Sequence, residues 1–116
     1  MAYTVEYYEK EDGSRPAEEF ILSQDNKMKA KIMAMLDFLA EKGPALREPY
    51  SKHLEDGIFE VRAKHGSDIS RVLYFFIVGK RVILTNGFVK KTQKTPPSEI
   101  KKSKRYREDY LHREER

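Results

Sequence analysis

Eight consecutive residues, Arg71–Val78 (RVLYFFIV), are almost wholly apolar. So short a run without polar alternation reads as the central strand of a sheet, buried on both faces. Its neighbours fit that reading. Upstream, Ile58–Lys64 (IFEVRAK) alternates, placing Phe59, Val61 and Ala63 on a core face and Glu60, Arg62 and Lys64 on an exposed one. The turn His65-Gly66-Ser67-Asp68 joins these two segments. Downstream, Gly79-Lys80 is a two-residue turn signal from which Arg81–Phe88 (RVILTNGF) returns as the next strand.

The rest of the chain supplies one more strand and three helices. Tyr3–Glu9 (YTVEYYE) is short and rich in β-formers, and the cluster Glu11-Asp12-Gly13-Ser14 ends it. Pro16 suits a helix's first turn, with Ala17, Phe20 and Ile21 as an apolar stripe. Met28, Ile32, Met35, Leu36 and Leu39 then recur on one face of a 3.6-residue period. Asp25 or Asn26 can cap this second helix, and Gly43-Pro44 stops it. Two helices so closely joined form an antiparallel hairpin. A polar last helix is expected from about Ser98 to His112. The order β-α-α-β-β-β-α predicts a single α+β domain spanning 1–116. Its sheet would be antiparallel, of about four strands, with the helical hairpin packed on one face.

Composition narrows the function. Charged residues make up 36% of the chain and none is cysteine, which excludes disulfides and thiolate metal sites. Met1–Lys10 lacks the features of a secretory signal, and no apolar run approaches the ~18 residues of a membrane span. A cytoplasmic protein is expected. Residues 1–58 carry 8 Lys+Arg against 12 Asp+Glu, and residues 59–116 carry 15 against 7. This segregation predicts one basic face, the footprint of a polyanion binder.

The cations have a pattern. Arg62 and Lys64 leave the exposed face of one strand, Arg71 sits at the mouth of the next, and Lys90, Lys91 and Lys94 follow the last. Adjacent strands lie ~4.8 Å apart, so such charges can converge. Clustered cations repel one another unless an anion joins them, and phosphate is the obvious anion. RNA cleavage needs little more, because the 2′-OH is an internal nucleophile and fixed cations stabilise the phosphorane-like transition state. The same lysines could equally be solvated loop charges.

Three runs together resemble a known family: Lys52–Arg62 (KHLEDGIFEVR), Arg71–Phe75 (RVLYF) and Leu84–Pro96 (LTNGFVKKTQKTP). Over roughly Tyr3–Tyr110 the chain resembles the phage Gp49-like branch of the RelE/HigB toxins. That resemblance implies a curved antiparallel sheet with a helical hairpin on one face. It also implies a metal-independent, ribosome-dependent mRNA endoribonuclease of a type II toxin-antitoxin system. The implied partners are mRNA on the ribosome and a cognate antitoxin, often one with a helix-turn-helix DNA-binding domain. Arg71 matches the strand arginine that binds the scissile phosphate, Arg62 the basic position beside it, and Lys90 and Lys91 the basic pair after the last strand. The sequence departs from the pattern at Asn86, where many relatives have histidine. Asparagine cannot act as a proton carrier at neutral pH, so a ribosomal group, a lysine or another residue would have to move the proton.

Other candidates are weaker. His65, in the turn after Arg62, is a candidate accessory proton carrier or simply an exposed polar residue. Lys64, Lys94, Lys101, Lys102, Lys104 and Arg105 are candidates for RNA or ribosome contact, or else solvated charges. Tyr106 and Tyr110, four apart on the last helix, can stack on bases or dock that helix on the sheet. His53, His65 and His112 are too widely spaced to predict a metal site, and no cofactor motif is present. Two other readings stay open: a ParE-like toxin that binds DNA gyrase, and a non-catalytic basic module that binds nucleic acid.

Overall fold

The computed structural model describes residues 2–89 and 94–114. Strand β1 (Thr4–Tyr7) leads into helices α1 (Pro16–Leu22) and α2 (Asn26–Lys42), followed by β2 (Ser51–Glu55), β3 (Ile58–His65), β4 (Asp68–Ile77), β5 (Arg81–Val89) and α3 (Pro97–Glu114). Asp25 caps α2 by accepting the Met28 N–H at 2.8 Å. Gly43 ends the helix at φ 54°, a conformation glycine adopts without strain.

The five strands lie in the order β1-β5-β4-β3-β2, so the apolar run of β4 occupies the centre. Two expectations need correction. The sheet has five strands rather than about four. Segment β2 (SKHLE) has one apolar side chain and mostly exposed positions, so it gives no periodic signal. The sheet is also mixed rather than wholly antiparallel, because β1 pairs with β5 in parallel. Strands joined by a tight turn must run antiparallel. No turn joins β1 to β5, so no such constraint applies to them.

Helices α1 and α2 cover one face, where Ala17, Ile21, Ile32, Leu36 and Leu39 meet Val61, Val72, Tyr74, Val82 and Leu84 in one cluster. The opposite face was expected to be open at Glu60, Arg62 and Lys64, and of these three Lys64 alone is exposed. Instead α3 lies across it, and a second cluster of Tyr8, Ile58, Leu73, Phe75 and Ile83 packs with Tyr106 and Tyr110. The domain thus has three layers. The full apolarity of β4 requires this, because Leu73 and Phe75 point away from α2 and need a cover.

Helix α3 is polar, so its docking relies on specific bonds. Tyr8 donates to Asp109 at 2.6 Å and stacks on Tyr106 at 4.7 Å. Arg81 donates to the Tyr110 hydroxyl at 2.5 Å, and Ser103 and Thr85 share a buried hydrogen bond of 2.6 Å. The two tyrosines therefore serve helix docking, the second of their two expected uses. No helix among the described residues is long and apolar enough to cross a membrane.

Candidate functional site

The antiparallel register of β3 and β4 sets Arg62 directly opposite Arg71, with both side chains on the α3 face. Two guanidinium groups so placed repel each other unless a carboxylate lies between them. Glu60 is that carboxylate, two residues before Arg62 and therefore on the same face. Its Oε2 accepts from Arg62 Nε at 2.7 Å and lies 3.7 Å from Arg71 Nη1. Thr95, just before α3, donates to Glu60 Oε1 and accepts from Arg71 Nη1 at 3.2 Å. The four side chains form one polar knot between the sheet and the start of α3.

Burial within this knot is graded. Glu60 is 0% exposed and Arg71 1%, whereas the Arg62 side chain keeps 19% of its surface in contact with solvent. Arg71 therefore does not sit at an open mouth, as its position in the sequence suggested. Thr95, just before α3, bonds to it. Burial pushes its guanidinium pKa down, the Glu60 charge opposes that, and the Arg62 charge adds to it. Glu60 is also corrected, from the exposed face to the floor of the site. Simple alternation could not reveal this, because it says which face a residue occupies but not what covers that face.

A cleft of about 200 Å³ opens beside the knot, lined by Lys52, Leu54, Glu55, Glu60, Arg62, Lys94, Thr95 and Ile100. Lys52 faces Glu60 across the β2–β3 pair, and both Lys52 and Lys94 are exposed at the rim. The cleft is large enough for a phosphate group and presents Arg62 and two lysines to it. Lys52 has no signal in the sequence beyond its charge, because β2 itself was not foreseen. Lys90 and Lys91 lie outside the described residues.

The remaining candidates are dispersed. Asn86 is buried, accepts from Thr85 at 2.7 Å and donates to Glu99 Oε1 at 3.0 Å, so it helps seat α3. His65 ends β3 on the opposite face from Arg62, by strand alternation. Lys64 is exposed on the Arg62 face, three residues from the end of β2's pairing. On α3, Lys104 is ion-paired with Glu55 and with Asp56, the latter at 2.7 Å, and the hydrogen bonds it donates to Asp56 and Glu55 raise its pKa. Lys102 lies 3.7 Å from Glu99, while Lys101 and Arg105 are exposed. Among the described residues no three His, Asp or Glu side chains gather as a metal ion would require.

A search of curated proteins gave no significant match. Among solved structures, the chain is similar to the crystal structure of the archaeal RelE–RelB complex from Pyrococcus horikoshii OT3. The TM-score is 0.55 at 18% identity, covering 81% of this chain and all of that one. That likeness establishes a RelE-like fold. The profile of the family described as phage-derived protein Gp49-like matches residues 19–108, a span that contains Glu60, Arg62, Arg71 and Thr95. The chain is a member of the Gp49-like family, built on the RelE-like fold.

Proposed function

We propose that this protein is the toxin of a type II toxin-antitoxin pair and cuts messenger RNA on the ribosome without a metal ion. One observation carries the proposal: Arg62 and Arg71 converge on Glu60 beside a phosphate-sized cleft rimmed by Lys52 and Lys94. In the resting protein the Glu60 carboxylate neutralises the arginine pair. A scissile phosphate in the cleft meets Arg62 first, with Arg71 adding positive charge from behind. The RNA 2′-OH gives its proton to a ribosomal base or to water and attacks the phosphorus, a cyclic phosphate forms, and the 5′-oxygen leaves. The fixed cations stabilise charge that grows on the phosphoryl oxygens, and each such contact lowers the barrier by about 2.7–4 kcal/mol. Asn86 cannot release a proton at neutral pH, so the leaving oxygen takes its proton from a lysine at the cleft or from the ribosome.

The structural neighbour was solved as a RelE–RelB complex, which supports a cognate antitoxin as the natural partner. Primer extension on a reporter mRNA in a translating extract tests the activity. The wild type should cut within translated codons, and Arg62→Ala should cut at least a hundredfold more slowly while retaining its circular dichroism spectrum. Growth arrest with intact transcripts would point instead to a gyrase-binding toxin and would overturn the ribonuclease reading.

A further inference from the structure

A larger groove borders the other side of Arg62, between α2 and the outer end of β3. It has a volume of about 810 Å³. Its floor is aliphatic: Ala30, Ala34 and Met35 form one stripe of α2, with Ala63 and Ile69 on the sheet. The small side chains at 30, 34 and 63 leave this space open. The rim is cationic, with Lys27 and Lys31 on the helix side and Arg62, Lys64 and His65 on the strand side. No carboxylate lines it among the described residues.

The sheet also has an unfinished edge here. Strand β2 begins at Ser51, opposite Val61, while β3 continues to His65. Arg62 N–H still reaches the Tyr50 carbonyl at 2.8 Å. Beyond that bond, among the described residues, β3 has β4 on one side and no strand on the other. Backbone groups alternate in direction along a strand, so Lys64 presents its N–H and C=O to the same side as Arg62, into the groove. An edge of this kind accepts an added strand.

We propose that this groove is a docking site for an acidic, apolar-bearing segment of a partner protein, laid as an extra strand along Arg62–His65. Alternate side chains of such a segment would enter the aliphatic floor, and the carboxylates between them, turned to the opposite face, would meet Arg62 and Lys64. RNA fits less well. Of the two rings in the groove, Tyr50 packs edge-on against Phe38 at 5.6 Å and His65 belongs to the rim, and the aliphatic floor gives a base no hydrogen-bonding partner. A sugar-phosphate backbone also cannot match a strand's hydrogen-bond register. The proposal does not depend on ribonuclease activity.

The test is an NMR titration of the full chain with three probes. They are a capped decapeptide alternating glutamate and valine, the same peptide with lysine for glutamate, and decauridylate. The acidic peptide should bind saturably, shift the amides of α2 and Arg62–His65, and protect the Lys64 amide from hydrogen exchange. Lys64→Glu should weaken it tenfold or more. The Lys64 side chain is exposed, so the variant's unchanged spectrum elsewhere reports an intact fold. An independent variant, Ala34→Arg, fills the floor and should also abolish binding. Absence of saturable shifts at Arg62–His65 overturns the proposal, as does equal binding of the lysine peptide. Decauridylate occupying the groove in preference to the acidic peptide overturns it too, in favour of RNA.

Discussion

Replacing Glu60 with glutamine removes one negative charge and one acceptor from the polar knot. The two side chains have nearly the same shape, so no cavity forms; the amide oxygen can still accept from Thr95, and the NH2 then replaces the oxygen that accepts from Arg62 Nε. What changes is that Arg71, at 1% exposure, loses the carboxylate 3.7 Å away and keeps Arg62 as a like-charged neighbour across the strand. Breaking a buried ion pair by removing one partner costs about 3–5 kcal/mol, and the isosteric change belongs at the lower end. For a domain of this length each kcal/mol moves the melting temperature by roughly 3–6 °C, so Glu60→Gln should melt roughly 10–15 °C below the wild type. The double variant Glu60→Leu/Arg71→Met discards both charges together and should recover most of that loss, because an apolar pair of similar volume replaces a buried ion pair at little cost. Calorimetry of the wild type, both single variants (Glu60→Leu and Arg71→Met) and the double variant closes a thermodynamic cycle. If Glu60→Gln melts within about 2 °C of the wild type, or the two single losses simply add, Glu60 does not hold Arg71 as argued.

Three further predictions concern the frame around the site. Burial, reinforced by the Glu60 charge and opposed by the Ser51 hydrogen bond, pushes the Tyr74 hydroxyl up to about 12. An unfolded tyrosine ionises near 10, so Tyr74 contributes stability in full below about pH 10 and loses it as pH rises towards 12. The difference is of order 2–3 kcal/mol. Urea unfolding at pH 8 and pH 11 should therefore show a smaller alkaline loss in Tyr74→Phe than in the wild type. Ser103→Leu forces a larger side chain into the fully buried contact with Thr85 and should cost about 1–3 kcal/mol, with hydrogen exchange rising first along α3. Gly43→Ala meets both a positive φ and the Tyr3 ring, whose Cε1 would lie 2.3 Å from the new Cβ, so thermal melting should show a loss of at least 1 kcal/mol.

Much of the fold can be read from periodicity, and what cannot is explained by what periodicity omits. The apolar run of β4, the alternation of β3 and the stripe of α2 each follow from burial against a specific neighbour, and all three elements were legible. Strand β2 escaped because an edge strand with exposed side chains at Lys52, His53 and Glu55 carries no burial pattern. The cover provided by α3 escaped for a different reason. Its docking rests on hydroxyls and ion pairs at Tyr8, Thr85, Ser103 and Asp109, and such groups look the same in a sequence whether bonded or solvated. The same gap hid Glu60. Arg62 and Arg71 could be picked out as a pair by charge and strand position, but the carboxylate between them looked like one more polar residue on an alternating strand.

That carboxylate bears on how the site can work. Four cations (Lys52, Arg62, Arg71 and Lys94) surround the cleft and knot, and a cluster of that charge without a counter-ion would push its own strands apart. Glu60 resolves this by standing where an anion is needed, at the cost of competing with any phosphate that enters. The competition is unequal for the two arginines. Arg71 is enclosed by Glu60 and Thr95 and cannot turn outward without displacing the start of α3, whereas Arg62 shares the carboxylate from a position still open to solvent. Arg62 is therefore the arginine able to change partner from carboxylate to phosphate, and Arg71 is the fixed charge behind it. Arg62→Lys should consequently impair RNA cleavage more than its modest effect on melting suggests, because lysine keeps the charge but loses the planar fork that can hold Glu60 and a phosphate oxygen together.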